Sequence, residues 1–263
     1  MRAYLAMLMA RAQVIAQYRV VALAGVGTQV FWGLIKIMVF DAFYESTTAG
    51  QPMRLEDVVS YIWLSQALFA LLPWRVEPEL RELMRSGNVA YELTRPVDLY
   101  ALWYSRTLAT KLIQPLMRFV PLVVVAGLFL NLQPPPSWQA GVAGFLSLIM
   151  AVLLASAITM MLTITLLWTV AGDGMNRFVP PLTMLLSGNV IPLPFFPEWL
   201  QPLVRSLPFR SVIDVPVRLY TGDIPLAAVG YEIGFAFVWT LALVLMGRWI
   251  LSIGVRRLVI QGG

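Results

Sequence analysis

Between Arg118 and Asp173 the chain carries no charged side chain. A helix rises about 1.5 Å per residue and a bilayer's hydrocarbon layer is roughly 30 Å thick, so about 20 apolar residues make one crossing. The uncharged run is long enough for most of two crossings, and three consecutive prolines, Pro134 to Pro136, divide it. The rest of the composition agrees. Hydrophobic residues make up 59% and charged residues 13%, and the mean hydropathy of +0.75 lies outside the range of soluble domains. The chain reads as an integral membrane protein.

Cysteine and histidine are both absent. There is no disulfide framework, no serine–histidine or cysteine–histidine nucleophile pair, and any zinc site would rest on carboxylates alone. No catalytic, metal or cofactor-binding residue is therefore expected in this chain. The net charge of +5 comes almost wholly from arginine, Lys36 and Lys111 being the only lysines. In a membrane protein such an excess sets orientation and touches anionic headgroups, so nucleic acid is not an expected partner. Residues 1–20 are Met-rich and apolar, but Arg11, Gln13, Gln17 and Arg19 interrupt them as no signal-peptide core is interrupted, and the segment is expected to be retained. Its polar residues do not gather on one helical face, which leaves an interfacial helix and a plain cytoplasmic segment both open.

Six spans fit the hydropathy, at about 20–40, 58–72, 108–130, 142–171, 178–190 and 226–250. The second is short and the fifth runs into Pro192, Pro194 and Pro197. Arg2, Arg11 and Arg19 precede the first span, Arg75, Arg81, Arg85, Arg95 and Arg106 lie between the second and third, and Arg256 and Arg257 follow the sixth. Basic residues in short loops stay cytoplasmic, so both termini are expected there, although Arg205, Arg210 and Arg218 fall on the opposite side.

No lysine follows a glycine in the manner of a phosphate-cradling loop, since Lys36 lies in "GLIKIM" and Lys111 in "LATKLI". If ATP powers this chain, another polypeptide must bind it. Ion coupling would need ionisable groups within spans. The candidates are Lys36, Arg118, Glu232 and, at a span edge, Asp41. Lys36 and Glu232 lie near enough to span ends to snorkel, whereas Arg118, between Pro115 and Pro121, is deeper. Ser147, Ala151, Ala155 and Thr159 recur at four-residue steps, a stripe of small side chains that suits close packing within one subunit better than a dimer seam.

Two stretches break the lipid-compatible pattern. In the first, Glu77 and Pro78 start a helix, Leu80, Leu83 and Met84 share one face while Arg81, Glu82 and Arg85 point elsewhere, and Gly87 suits a left-handed stop. The "NVAYELTRP" that follows is biased towards extended backbone, and Asp98 can cap the next helix. A capped amphipathic helix followed by Tyr91, Leu93 and Arg95 makes a docking surface. The second, "SGNVIPLPFFPEWLQPLVRSLPFRSVIDVP", is too proline-rich for a spanning helix and too apolar for a free loop. It is expected to be a re-entrant turn with short helices, one of them starting at Pro197 or Glu198, and with Phe195, Phe196 and Trp199 at the interface.

Together these segments resemble the membrane subunit of ABC-2-type ABC transporters, in the branch of poorly characterised permeases that pair with a separate ATPase. The resemblance rests on "ELMRSGNVAYELTRPVD", on "SGNVIPLPFFPEWLQPLVRSLPF" and on "RLYTGD" before the last span, in order over nearly the whole chain. It implies one all-α transmembrane domain over residues 1–263, with six transmembrane helices, a cytoplasmic or interfacial segment 1–19, a cytoplasmic coupling segment 75–107 and an outer re-entrant segment 187–225. The coupling helix would dock on the ATPase through Arg81, Arg85, Gly87, Asn88, Tyr91 and Arg95.

It also implies a multi-pass protein of the cytoplasmic (inner) membrane, a second permease subunit of the same or a related chain, and a dimer of ABC ATPases carrying ATP and Mg. The function so implied is the permease of an ATP-driven exporter working by alternating access. Its pathway would be lined by positions such as Trp32, Trp63, Ser65 and Gln66, suiting an amphipathic or lipid-like cargo. The rival expectation is a proton-coupled secondary transporter without an ATPase, resting on Glu232 and Arg118.

Overall fold

The computed structural model describes residues 2–47, 50–74, 76–167 and 173–256. Arg75, Arg257 and the expected end of the fourth span at 168–171 lie outside the described residues. Among those described there are helices and turns and no strand. Helix α1 is Arg2–Ala16, α2 Arg19–Ser46, α3 Leu55–Ala67, α4 Pro78–Arg85, α5 Val89–Leu93, α6 Leu99–Phe129 and α7 Trp138–Thr165. After them come α8 Asp173–Leu186, α9 Gln201–Ser206, α10 Asp214–Thr221 and α11 Val229–Val255.

Four helical stretches are long and apolar enough to cross a membrane: Val20–Ser46, Leu99–Phe129, Trp138–Thr165 and Leu226–Val255. The second and fifth expected segments form helices of only 13 and 14 residues. At about 1.5 Å per residue, neither covers 30 Å alone. α3 is followed by a 3-10 turn, Phe69–Leu71, and nearly all of residues 58–68 are buried against other helices. Its apolar character serves a protein interior, which hydropathy cannot distinguish from lipid. α8 carries Pro180 and Pro181 and stops ahead of Gly188, whose φ of +83° is left-handed.

α7 is the centre of the bundle, with α6, α10 and α11 packed around it. Its small residues make this possible. Ser147, Ala151, Ala155 and Thr159 are all buried, and Gly144 is so close to α10 that an added Cβ would come within 3.2 Å of the Pro216 carbonyl oxygen. The stripe is thus used for packing within one subunit. Three hydroxyls of this apolar helix are satisfied locally: Ser156, Thr159 and Thr163 each donate to the carbonyl four residues back.

The bundle has two polar ends. At one, α1 lies along the first half of α6, the Asp98 amide donates to the Tyr4 hydroxyl at 3.1 Å, and Arg248 of α11 donates to Asp98 at 3.0 Å. α4 and α5 cover this end over a core of Leu80, Trp103, Met160 and Ile164. At the other end sit residues 187–228, where α9, α10 and short 3-10 turns surround the ends of α2 and α6.

The chain from Met53 to Glu77 connects the two ends. The Met53 carbonyl accepts from Tyr44, at the far end of α2, and Glu77 meets Arg11 of α1.

Two local expectations change. Residues 88–96 hold the short helix α5 where extended backbone was expected, because buried Glu92 ties this turn to α6. The helix expected from Pro197 or Glu198 starts later, at Gln201, after a turn at 198–200.

Candidate functional site

The exposed surface of the polar end bearing α4 and α5 is built on a buried support. Pro78 occupies the first turn of α4 with Glu79 beside it, where a fixed φ and negative charge suit a helix start. Leu80 is fully buried, while Leu83 and Met84 pack on the same cluster as Trp103. Gly87, with φ of +73°, ends the helix as expected.

Of the six residues assigned to docking, Gly87, Asn88 and Arg95 are exposed, and Tyr91 is 73% exposed, an unusual state for so large an aromatic side chain. Arg81 is half-buried and has an interaction within the chain. Arg85 closes α4, and its side chain lies outside the described residues.

Beneath this surface two carboxylates point inwards. Glu92 is 5% exposed and accepts hydrogen bonds from the Trp103 indole at 2.5 Å and from Arg106 at 2.6 Å. Glu77, equally buried, pairs with Arg11 at 3.7 Å, and Arg11 also bonds Glu79. Burial pushes the Glu77 carboxyl above its ordinary value, opposed by the Thr110 hydroxyl and by the positive charges of Arg11 and Lys111. Any displacement of α4 or α5 therefore pulls on α1 and α6 through buried ion pairs. Sequence spacing could not reveal these anchors, because each partner sits on a different element.

The residues assigned to the membrane interior fall in different settings. Trp63 and Ser65 are structural: the Trp63 indole donates to the Leu130 carbonyl at 2.8 Å, and the Ser65 hydroxyl donates to Ile62. Gln66 is buried and Trp32 is 52% exposed. Glu232, expected to snorkel, turns inwards instead. Both its oxygens face the Arg210 guanidinium, at 3.0 and 2.8 Å, and Arg210 also lies over the Phe235 ring. Lys36 likewise turns inwards and donates to the Asn189 carbonyl. Arg118 lies against Gly25 of α2.

A second polar centre joins residues that the sequence left on separate segments. Asp214 accepts from the Tyr61 hydroxyl at 3.0 Å, from the Leu193 amide at 3.3 Å and from Arg218 at 3.3 Å. Arg218 also bonds Asp223. Gly188 completes the joint, for its carbonyl accepts from Tyr61 at 3.0 Å. The network pins the turn after α8 to α3 and α10. The sequence singled out the stretch from Ser187 to Pro216, too proline-rich for a span and too apolar for a free loop, and the "RLYTGD" that holds Arg218 and Asp223, but not their joining through Asp214 and Tyr61.

Among the described residues no group of three or more Asp or Glu side chains could hold a metal ion. What the arrangement supplies is a protruding polar surface wired to membrane helices. A family model described as ABC-2 family transporter protein matches residues 30–262. No curated protein and no solved structure matches the chain. The family match covers the second half of the first span and all of the other three, the α4–α5 surface and the turn after α8, so this chain belongs to the ABC-2 family of transporter proteins and is a multi-pass membrane permease of an ABC transporter.

Proposed function

We propose that this chain is the permease subunit of an ATP-driven exporter, working in the cytoplasmic membrane as a dimer of permeases on a separate pair of ATPase subunits. ATP and Mg belong to the partner, and residues 77–95 receive the work. The observation that carries this reading is the α4–α5 surface itself: Tyr91, Asn88 and Arg95 stand outwards while Glu92, in the same short helix, is clamped to Arg106 and Trp103 of α6. An exposed aromatic beside exposed polar groups is what a partner's surface buries, and a rigid anchor is what transmission needs.

The orientation puts this end in the cytoplasm. Arg11, Arg81, Arg95, Arg106, Arg248 and Arg256 gather there. At the opposite end two of the three arginines that ran against the charge rule are tied up in ion pairs, Arg210 with Glu232 and Arg218 with Asp214 and Asp223, while Arg205 bonds Gln201. In the six-segment arrangement α3 with its 3-10 turn and α8 complete the set. The run from Met53 to Glu77 between the two ends supports this for α3, and the cover given by neighbouring helices explains how short helices are tolerated at membrane depth. Residues 187–225 form the outer re-entrant cap. Of the two residues on which the proton-coupled rival rests, Glu232 and Arg118, Glu232 is held in an ion pair with Arg210, which favours the ATP-driven reading.

The test is co-purification together with transport. Affinity-purified chain is expected to bring an ABC ATPase with it, and Tyr91→Ala combined with Arg95→Glu is expected to lower ATPase recovery and export by tenfold or more, with wild-type thermal unfolding. Unchanged export by that variant, or transport by the purified chain without any ATPase, overturns the coupling assignment.

A further inference from the structure

Most of the buried charges of this protein are paired. Glu77, Glu92, Arg106, Arg210, Asp214 and Glu232 all have a partner of opposite charge. Buried Lys111 makes no ion pair among the described residues, but it donates to the Leu72 carbonyl at 2.7 Å with the Glu77 charge close by. Lys36 and Arg118, half-buried in candidate spans, have no such carboxylate: among the described residues none pairs with either. Lys36 reaches only a carbonyl oxygen, that of Asn189. Arg118 makes no hydrogen bond among the described residues, and its guanidinium rests on the bare backbone of Gly25, where an added Cβ would come within 2.9 Å. A guanidinium at membrane depth costs a few kcal/mol on insertion scales and normally finds a counter-charge.

The two cations are on one line. Gly25, Gln29, Trp32 and Lys36 recur at i, i+4, i+7 and i+11, so they form a single stripe along α2 at the edge of its buried face. From Gly25 to Lys36 is about 16 Å along the helix. Between the two charges lies Gln29, 4% exposed, whose Oε1 is buried without a hydrogen-bond partner. A buried amide oxygen left unpaired is itself costly and marks a place where a donor is missing. Next comes Trp32, half exposed, offering an aromatic face to an apolar chain.

We propose that this stripe of α2, with Arg118 beside it, is a binding track for the anionic headgroup of a single-chain amphiphile. The phosphate or carboxylate pairs with Arg118 or Lys36, a headgroup hydroxyl donates to Gln29, and the acyl chain lies along Trp32 and its apolar neighbours. This deepens the exporter reading and rests on it: it gives the cargo an anionic head.

The experiment uses the full-length chain purified into neutral phosphatidylcholine nanodiscs and titrated with oleoyl lysophosphatidate, oleate and uncharged monooleoylglycerol. The two anionic probes are expected to bind at least about tenfold more tightly than the neutral one, which is the worth of a single charge-assisted hydrogen bond. Arg118→Gln and Lys36→Gln are each expected to remove most of that preference, while Arg118→Lys retains it. Should Arg118→Gln fail to fold, Lys36→Gln and Arg118→Lys still decide the matter.

Adding phosphatidylglycerol separates the sources. Competition means that a resident membrane lipid is the ligand, absence of competition means a free amphiphile, and both support the track. Equal binding of all three probes, or a preference unchanged in the variants, overturns it. So does an Arg118→Gln chain that binds normally but no longer dimerises, because the missing carboxylate then belongs to the second permease. The binding measurement needs no ATPase. Its failure leaves the coupling reading standing, and a chain that binds amphiphile but recovers no ATPase overturns coupling alone.

Discussion

Single positions in this protein matter most where a backbone requirement and a polar contact coincide. Gly188 adopts φ of +83°, and a Cβ there would come within 2.3 Å of the Tyr61 hydroxyl and 3.1 Å of the Asp214 Cβ. An L-residue in the left-handed region costs roughly 1–2 kcal/mol. Displacing Tyr61 from Asp214 adds a buried unmade hydrogen bond of about 1–3 kcal/mol. Gly188→Ala is therefore expected to destabilise the protein by about 2 kcal/mol or more, seen as a lower thermal unfolding midpoint in detergent. Gly127 is the internal control. It sits within α6 with nothing within 4 Å of an added Cβ, so Gly127→Ala is expected to be neutral or to stabilise by about 0.5–1 kcal/mol. The sequence places Gly127 in an apolar run and Gly188 between Ser187 and Asn189, but it does not say what an added Cβ would meet at either.

At the scale of elements, α5 shows how tertiary contacts override local preference. The stretch from Asn88 to Pro96 has β-forming residues and a terminal proline, which favour extended backbone. Its five residues form a helix because Glu92 reaches Arg106 and the Trp103 indole, and a helical turn brings that side chain inwards while leaving Tyr91 outside. Breaking a buried ion pair by removing one charge costs about 3–5 kcal/mol, since the other is stranded. Glu92→Gln is thus expected to detach α5 from α6. The measurement is limited proteolysis at Arg95, which should speed up at least tenfold while α7 remains protected from hydrogen exchange. Replacing both partners, Glu92→Leu with Arg106→Met, is expected to be milder than the single change. If Glu92→Gln cleaves at the wild-type rate, the anchor carries no load and the coupling surface is not held through it. α4 was by contrast legible residue by residue, because its start at Pro78, its apolar face and its stop at Gly87 are all local signals.

For the whole molecule, the arrangement of ends is the most direct thing to test, and the chain is suited to it because it contains no cysteine. Asn88→Cys and Trp199→Cys place single thiols at exposed positions at opposite ends. A membrane-impermeant maleimide is expected to label Trp199→Cys in intact cells and Asn88→Cys only in inside-out vesicles. Labelling of both from the same side would overturn the placement of the two ends across the membrane, and the exchanged pattern would reverse the proposed orientation. Membrane character, the helix starts at Pro78 and Asp98, the stop at Gly87 and the break at Pro134 to Pro136 follow from composition and neighbouring residues alone, because hydropathy, caps and prolines act over a turn or two of chain. Three matters were decided only by tertiary structure: that α3 is apolar because protein surrounds it, that Glu92 and Glu232 are held by Arg106 and Arg210, and that Lys36 and Arg118 are left without a counter-charge. Each depends on which distant helix stands opposite, and the desolvation that makes such pairing matter exists only once the helices have packed.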